Sequence, residues 1–227
     1  MATATEVILF DVNETLSDMA PMAERFTEIG VQPHLAKLWF ATLLRDGFAL
    51  TAAGSNPAFA EVGKEVLRGV LHGLPLEREP EDAVDHVMAG LAGLTLHPDV
   101  AEGVRALKSS GYRLVTLSNG STKLAEKLFA DAGIGDEFER LLSVEDAPAW
   151  KPAPGAYAYA AEVCGVTLPE MLLVAVHPWD LHGAAAAGAA TAWINRSGDP
   201  YPGHFSQPGH VVSSLPELAG VLGRSAS

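Results

Sequence analysis

Short apolar runs recur along the chain, and most of them lead directly into polar residues. The clearest runs cover residues 7–10, 112–117, 171–176 and 191–194, and shorter ones lie at 141–143 and 210–212. Runs of this length are typical of strands that are buried on both faces of a parallel sheet. Between them, helical spacing of apolar residues predicts helices at 99–109, 122–132, 154–163, 181–187 and 214–222. This alternation predicts an α/β fold with a doubly wound, Rossmann-like parallel sheet.

Residues 18–94 follow a different pattern, because no strand-like apolar run is found among them. Apolar residues at helical spacing predict four helices instead, which begin near residues 20, 33, 55 and 79. We therefore predict two domains. Residues 1–17 and 95–227 form the Rossmann-like core, and residues 18–94 form a helical cap that is inserted into it.

Composition narrows the class of protein. Hydrophobic residues make up 48% of the 227 residues, enough for a sizeable core. The formal net charge of −13 argues against nucleic acid and anionic membranes as partners, although a local cation could still bind a small anionic substrate. A single cysteine, Cys164, excludes an internal disulfide and a multi-cysteine metal site, and we expect it to be buried in a helix. Without a secretory signal or a membrane-length apolar stretch, we expect a soluble, cytoplasmic protein.

Polar residues stand at or beyond the ends of four predicted strands. In chain order they are Asp11, Ser118 with Asn119, Lys151, and His177 with Asp180. Because the carboxyl ends of parallel strands share one edge of the sheet, we expect these groups to converge there. Asp11 alone could simply cap a turn. Four strand ends in succession make a purely structural explanation of the whole set improbable.

These segments resemble a known superfamily. Residues 11–16 (DVNETL), Ser118-Asn119, Lys151-Pro152 and the Asp180 segment look like the four motifs of the haloacid dehalogenase (HAD) superfamily, in order and across the whole core. Within it, the chain is most similar to the type II (S)-2-haloacid dehalogenase-like branch. That similarity depends on residues 118–120 (SNG), on Tyr157 six positions after Lys151, and on residues 179–184 (WDLHGA).

The resemblance implies a role for each motif residue. Asp11 would be the nucleophile that forms an ester with the substrate, and Lys151 would supply the positive charge that keeps it ionised. The hydroxyls of Ser118 and Thr15 would orient Asp11 or bind a substrate carboxylate. Asp180 would hold Lys151 and activate the water that hydrolyses the ester.

Other residues carry a structural alternative beside the functional one. Asn119 and Tyr157 resemble the supporting polar residues of the family site, and Asn13 and Trp179 are further candidates for substrate binding. Thr15 could instead stabilise a turn, Tyr157 could pack on an alanine-rich helix, and Asp180 could be a helix N-cap. Each of these alternatives stays open at the level of the sequence.

Two departures concern metal-dependent chemistry. Most members of the superfamily are Mg²⁺-dependent phosphatases with a second aspartate two positions after the nucleophile, where this chain has Asn13, which cannot titrate. Their fourth motif usually supplies two acidic groups, whereas residues 177–180 (HPWD) contain one, and His177 is a poor Mg²⁺ ligand. Attack at carbon without a metal therefore fits better. We expect no cofactor, with Mg²⁺ required only if the protein is a phosphatase.

Two further departures concern the leaving group. In the dehalogenases a cap arginine that directly follows a tryptophan helps to receive the halide, but here Trp39 is followed by Phe40. Arg45 either replaces that arginine or is a solvated helix residue, and the second is slightly favoured. Phe40 would line the cap or pack within it. His177 replaces the usual asparagine, and it could donate to a leaving group or a carboxylate, or simply bond to the backbone.

The preferred hypothesis is a metal-independent hydrolase that attacks the α-carbon of a small 2-substituted carboxylic acid, most similar to (S)-2-haloacid dehalogenases. The alternatives are a hydrolase that opens azetidine-2-carboxylate, a Mg²⁺-dependent phosphatase of small molecules, and a non-catalytic binding protein of the same fold. A small carboxylate is the expected partner. A homodimer through an exposed cap face with Trp39, Phe48 and Leu50 is a further hypothesis.

Overall fold

A computed structural model describes residues 4–225 and centres on a parallel sheet. Within these residues the strands of the sheet are β1 Val7–Phe10, β4 Arg113–Ser118, β5 Arg140–Ser143, β6 Met171–Ala175, β7 Ala190–Ile194 and β8 His210–Val212. These six strands lie in the order β5-β4-β1-β6-β7-β8, and every neighbouring pair is parallel. The predicted α/β fold with a doubly wound sheet is confirmed.

The central strand β1 is buried on both faces, as its uninterrupted apolar sequence predicts. Val7 and Leu9 pack into one hydrophobic cluster, while Ile8 and Phe10 pack into another on the opposite face of the sheet. Alternate residues of a strand point to opposite faces, so two helical layers cover this strand. Asp11 follows directly, at the carboxyl edge of the sheet.

Five helices of the described chain flank this sheet, and their bounds lie close to those predicted. They are α5 Val100–Ser109, α6 Thr122–Asp131, α7 Pro154–Cys164, α8 Pro178–Ala187 and α9 Leu215–Ser225. The prediction was wrong for the start of α8, which begins at Pro178 because proline suits the first turn of a helix. His177 is the N-cap of this helix, so Asp180 lies in the first turn and does not cap it. Cys164 is buried, as expected.

Four α-helices of the described chain lie between β1 and α5, and we call them the cap. They are α1 Met22–Thr27, α2 Leu35–Ala52, α3 Phe59–Leu71 and α4 Pro80–Gly90. The chain enters and leaves the cap through two short antiparallel strands, β2 Ser17–Asp18 and β3 Thr95–Leu96. The pattern predicted no strand near residue 18, because a two-residue strand is too short to give an apolar run.

Trp150 joins the cap to the core. Its indole N–H donates to the carbonyl of Pro57 (2.9 Å), and its ring stacks on Phe59 at a centroid distance of 5.8 Å. Gly47 of α2 lies so close that a Cβ there would be 2.2 Å from the Trp150 ring. The side chain of Asn56 also donates to the carbonyls of two core residues, Val144 and Ala147. The cap is therefore seated on the loop that precedes Lys151.

The predicted exposed cap face needs a correction. Trp39 is fully buried and its indole N–H donates to the carbonyl of Gly63 (3.0 Å), because it faces the packed interior of the cap. Phe48 is partly buried against Trp179, whereas Leu50 is exposed. The homodimer stays a prediction. Among residues 4–225, no helix is long and apolar enough to cross a lipid bilayer.

Candidate active site

The turn after β1 brings Thr15 back onto Asp11. The Thr15 hydroxyl accepts from the backbone N–H of Val176 (3.1 Å) and donates to Asp11 Oδ2 (2.6 Å). Glu14, between them, adopts a left-handed backbone conformation with φ of 61°, which is uncommon for a residue with a side chain. The turn therefore fixes both the position of the carboxylate and the direction of its hydroxyl donor.

Lys151 contacts Oδ1 of Asp11, the carboxylate oxygen that Thr15 does not contact. Its ammonium donates to Asp11 Oδ1 (2.8 Å) and to Asp180 Oδ2 (2.6 Å), and the lysine side chain is completely buried. Asn119 holds the backbone of Lys151 through two hydrogen bonds of 3.0 and 3.2 Å. Asn119, which directly follows β4, thus positions Lys151, which lies 32 residues later in the chain.

Asp180 is fully buried, and both of its carboxylate oxygens are engaged. Oδ2 accepts from Lys151, and Oδ1 accepts from the hydroxyl of Tyr157 at 2.6 Å. The Tyr157 hydroxyl also lies 3.0 Å from the backbone carbonyl of Asp180. Tyr157 is therefore a buried hydrogen-bonding partner of the carboxylate as well as a packed aromatic residue.

Ser118 and Asn13 lie beside these groups. The Ser118 hydroxyl accepts from the backbone N–H of Gly120 at 2.9 Å, and within residues 4–225 it forms no hydrogen bond to Asp11. Both residues line a small cavity of about 20 Å³, whose other walls include Phe59 and Leu94. A cavity of this size holds about one water molecule.

His177 connects Asp11 to Glu14. Its Nδ1 lies 3.0 Å from Asp11 Oδ2, and its Nε2 lies 2.8 Å from Glu14 Oε2. The imidazole stacks on Trp179 at a centroid distance of 5.0 Å, and Trp179 packs in turn against Phe48 of the cap. The ring is held at both nitrogens and on one face.

His177 also lines a cleft of about 780 Å³ between the cap and the core. The cleft is bounded by helices α1 and α2 on one side and by the ends of β6 and β7 on the other. Its lining includes Glu14, Lys37, Phe40, His97, His177 and Arg196. This cleft offers solvent and small molecules a route to His177 and to the Asp11 oxygen that it contacts.

The charges around Asp11 keep it ionised. Burial alone would raise the pKa of Asp11, but the Lys151 charge and the His177 hydrogen bond bring it well below its usual range. Burial lowers the pKa of His177, yet its hydrogen bonds to Asp11 and Glu14 outweigh that effect and raise it to about 9. At neutral pH the Asp11 carboxylate therefore stands between two cations, Lys151 and His177.

The pKa shifts of the buried partners are consistent with this arrangement. Burial lowers the pKa of Lys151, but Asp11 and Asp180 raise it by more, so the lysine stays charged. Burial raises the pKa of Asp180 above its usual value, and Lys151 opposes this only in part. The pKa of Tyr157 is raised well above its usual value, so it serves as a hydroxyl donor.

Of the two alternatives for Arg45, the structure supports the slightly favoured solvated helix residue and corrects its placement among the substrate-binding candidates. Its guanidinium pairs with the neighbouring Asp46 at 2.9 Å, and its side chain is 71% exposed on α2. It lines a surface groove of the cap with Lys64 and Arg68, and it is not among the residues that line the cleft at His177. Phe40 does line that cleft and is largely buried.

Sequence reasoning missed Glu14 and Trp150. Glu14 precedes Thr15 in the first motif, but 163 positions separate it from its partner His177, and a helix or strand period gives no signal for such a contact. Trp150 stands directly before Lys151 and could have been singled out only as a large apolar residue beside a candidate site. Both contacts depend on tertiary packing.

The comparisons with known proteins agree with this geometry. A family model described as haloacid dehalogenase-like hydrolase matches residues 5–188. The chain is 29% identical to (S)-2-haloacid dehalogenase 4A of Burkholderia cepacia, over 100% of this chain and 99% of that protein. It is 32% identical to haloacetate dehalogenase H-2 of Moraxella sp. (strain B), over 85% and 87% of the two chains.

One similar solved structure contains a covalently bound ligand. It is L-2-haloacid dehalogenase from Xanthobacter autotrophicus with chloropropionic acid covalently bound, similar to this chain with a TM-score of 0.86 and 26% identity. The match covers 98% of this chain and 100% of that one. The chain belongs to the haloacid dehalogenase-like hydrolase family, and it is a hydrolase of the α/β fold that this family shares.

The described residues contain no group of three or more histidine, cysteine, aspartate or glutamate side chains arranged to hold a metal ion. The carboxylate of Asp11 is instead surrounded by the ammonium of Lys151, the imidazole of His177 and the hydroxyl of Thr15. The positive charge next to the Asp11 carboxylate thus comes from side chains of the protein.

Proposed function

We propose that the protein hydrolyses small 2-substituted carboxylic acids by attack of Asp11 on the α-carbon, as an (S)-2-haloacid dehalogenase-like enzyme. The observation that carries the proposal is the state of Asp11, which is nearly buried, ionised and held on both oxygens by cations or hydroxyl donors. A carboxylate aimed and desolvated in this way is a competent nucleophile toward carbon. We further propose that it acts in the cytoplasm and without a metal ion.

In the first step, an oxygen of Asp11 forms a bond to the α-carbon, and the leaving group departs with its electron pair. Lys151 fixes the attacking carboxylate through Oδ1 and Thr15 fixes it through Oδ2. Since the Thr15 hydroxyl is committed to Asp11, Ser118 is the hydroxyl that remains for the carboxylate of the substrate. A halide needs neither a metal nor a proton to leave, which suits the absence of an acid at Asn13.

In the second step, water attacks the Cγ carbonyl of Asp11, which releases a 2-hydroxy acid and restores the carboxylate. The ammonium of Lys151 lies 2.8 Å from Oδ1 and the Thr15 hydroxyl lies 2.6 Å from Oδ2, so either carboxyl oxygen has a donor that can stabilise negative charge. Asp180 holds Lys151 for both steps.

Chloride release tests the proposal. The purified protein is incubated with (S)- and (R)-2-chloropropionate, with and without a chelator, and chloride is measured over time. We expect release from at least one enantiomer that is insensitive to the chelator, and a loss of more than about 10³-fold in the Asp11→Asn variant. Turnover of an aryl phosphate that the chelator abolishes, with every 2-haloacid and azetidine-2-carboxylate inert, would contradict the proposal.

A second leaving group is favoured by one observation. Phe40 lines the cleft and directly follows Trp39, the position at which the dehalogenases carry the arginine that helps to receive the halide. In the ring opening of azetidine-2-carboxylate, the leaving nitrogen stays attached to the product and no free anion has to be bound. Formation of the 4-amino-2-hydroxy acid from azetidine-2-carboxylate, faster than chloride release from 2-chloropropionate, would support this candidate over the haloacid.

A further inference from the structure

The residue expected to activate water is poorly placed to receive it. Asp180 is fully buried, and its two oxygens accept hydrogen bonds of 2.6 Å each from Lys151 and Tyr157. A water molecule would have to displace one of these donors before it could transfer a proton to Asp180. The contacts of Asp180 suit a residue that positions Lys151.

His177 is placed differently. Its Nδ1 is 3.0 Å from Asp11 Oδ2, its side chain is 12% exposed, and it lines the cleft between cap and core. Water that enters the cleft therefore meets His177 next to the carboxyl group that becomes the ester. Imidazole is the most common general base in enzymes.

Glu14 fixes the orientation of this imidazole. Its carboxylate holds Nε2 at 2.8 Å, so the other nitrogen, Nδ1, faces Asp11. The left-handed backbone of Glu14 brings the carboxylate to this position, and such conformations persist only where the surrounding structure holds them. A carboxylate bonded to one imidazole nitrogen leaves the other free to accept a proton in the neutral ring.

We infer that His177 is the general base for hydrolysis of the Asp11 ester and that Glu14 is its positioning residue. The inference rests on the proposed function, because it assigns a residue to the second step of that reaction. It also explains why His177 acts as a base only after the Asp11 ester has formed. In the resting enzyme, the Asp11 carboxylate holds a proton on His177, and formation of the ester removes that negative charge.

The proton balance of the cycle closes. After alkylation, His177 loses its proton to solvent through the cleft. Its Nδ1 then takes a proton from water while the water oxygen bonds to Cγ of Asp11. The ester C–O bond breaks, its electron pair stays on the oxygen of the hydroxy acid, and that oxygen takes the proton from His177. Asp11 leaves the step as a carboxylic acid and returns its proton to His177, so the net reaction is R–X plus water to R–OH, X⁻ and H⁺.

The groups that face His177 define its pH dependence. Asp11 and Glu14 contact the ring directly, and Lys151 stands behind Asp11. The remaining ionisable groups that line the cleft are Asp18, His34, Lys37, His97, Arg196 and Asp199. Loss of the Asp11 charge lowers the pKa of His177 from its resting value of about 9, and ester hydrolysis should quicken as pH rises through this lower pKa.

Trapping of the ester tests the inference. His177→Asn is mixed with (S)-2-chloropropionate, and both chloride release and the intact mass of the protein are followed with time. We expect a chloride burst of about one per chain, an adduct with the mass of the propionyl ester, and steady-state turnover that falls by about 10²–10³-fold. His182→Asn, an exposed histidine on α8, is the matched control and should turn over normally without an adduct.

Glu14→Gln separates positioning from folding. We expect this variant to hydrolyse the ester about tenfold more slowly, with the midpoint of its pH profile shifted to lower pH because a negative charge beside the imidazole is lost. A purely structural role for Glu14 would lower stability without moving that midpoint. An unmoved midpoint in a folded Glu14→Gln variant would overturn the role assigned to Glu14.

Two other results would overturn the inference. One is wild-type turnover by His177→Asn without an adduct. The other is an adduct that accumulates in Asp180→Asn but not in His177→Asn, which would return the base to Asp180. Absence of turnover of every 2-haloacid and of azetidine-2-carboxylate by the wild type would overturn the proposed function and this inference together, so the two failures are distinguishable.

Discussion

The two oxygens of Asp11 face regions that differ in almost every physical respect. On the lysine side, defined by Lys151, Asp180 and Tyr157, the side chains are sealed from solvent and bonded to one another. On the histidine side, defined by His177 and Glu14, the side chains are 12% and 43% exposed and border a cleft. One side keeps a fixed charge, while the other can exchange protons with water.

This difference matters because the two halves of the proposed reaction need different environments. Attack on carbon needs a carboxylate that is ionised, oriented and desolvated, which the lysine side supplies. Hydrolysis of the ester needs a base that water can reach, which the histidine side supplies. A single buried network could not meet both needs, since a base without contact with water cannot exchange its proton.

The largest effect is expected from breaking the lysine side. Lys151→Met leaves Asp11 and Asp180 buried without a cation, so we expect a loss of unfolding free energy of about 3–5 kcal/mol and no measurable turnover. The loss of unfolding free energy should be smaller at pH 4 than at pH 8, because protonation of the Asp11 and Asp180 carboxyls removes the two unpaired buried charges. Denaturant unfolding at both pH values measures this.

Lys64→Met is the control for that substitution. Lys64 forms an exposed ion pair with Asp85, and such pairs contribute about 1 kcal/mol or less. A Lys151→Met variant that is as stable as Lys64→Met would contradict the buried ion-pair network.

The pH dependence of the unfolding free energy tests the histidine side. The pKa of His177 is raised from its ordinary value of 6.5 to about 9. Its stabilising contribution is therefore complete below pH 6.5 and is lost as pH rises through 9, with a total on the order of 3 kcal/mol. Unfolding free energies measured between pH 6 and 10 should fall more steeply in the wild type than in His177→Asn. Parallel curves for the two proteins would refute a raised pKa at this histidine.

A smaller change on the lysine side tests the role of Tyr157. Tyr157→Phe removes one hydrogen bond to a buried carboxylate, so we expect a loss of about 2 kcal/mol in unfolding free energy. Turnover should fall by about tenfold, because Asp180 then holds Lys151 less firmly. Tyr159→Phe on the same helix is the control, and equal effects of both substitutions would remove Tyr157 from the site.

The smallest effect is expected at Arg45. Because its guanidinium is exposed and pairs with the adjacent Asp46, Arg45→Ala should change the unfolding free energy by less than about 0.5 kcal/mol. Turnover of 2-chloropropionate should stay within about twofold of the wild type. A loss greater than tenfold would return Arg45 to the substrate site.

The sequence was sufficient to predict the sheet and the convergence of Asp11, Lys151 and Asp180, whereas the role of Tyr157 stayed open. Apolar runs gave the strands, and the parallel connectivity brought Asp11, Lys151 and Asp180 to one edge without knowledge of any contact. The exposed position of Arg45 was also within reach. Successive residues of an α-helix are rotated by about 100° around its axis. Arg45 is therefore rotated by roughly 200° from Leu43 and from Gly47, which are buried, so it lies on the opposite face of α2.

The histidine side could not be predicted in the same way. Its central contact depends on a left-handed residue in a turn, Glu14, and on a helix that begins at Pro178 and places His177 at the N-cap. Neither feature follows from a hydrophobic period. Tertiary packing also decided that Trp39 is buried and that Trp150 bonds to the cap.

The fit of Gly47 against Trp150 sets a condition for engineering this enzyme. A cap exchanged for that of a relative would have to carry a glycine at this point of α2, because any larger residue would meet the indole ring at 2.2 Å. Chimeras should therefore be designed with α2 and residues 147–151 taken from the same parent. Libraries that vary the cleft through α1 and the first half of α2 leave the contact between Gly47 and Trp150 intact, so specificity can be altered there at little risk to the position of Asp11.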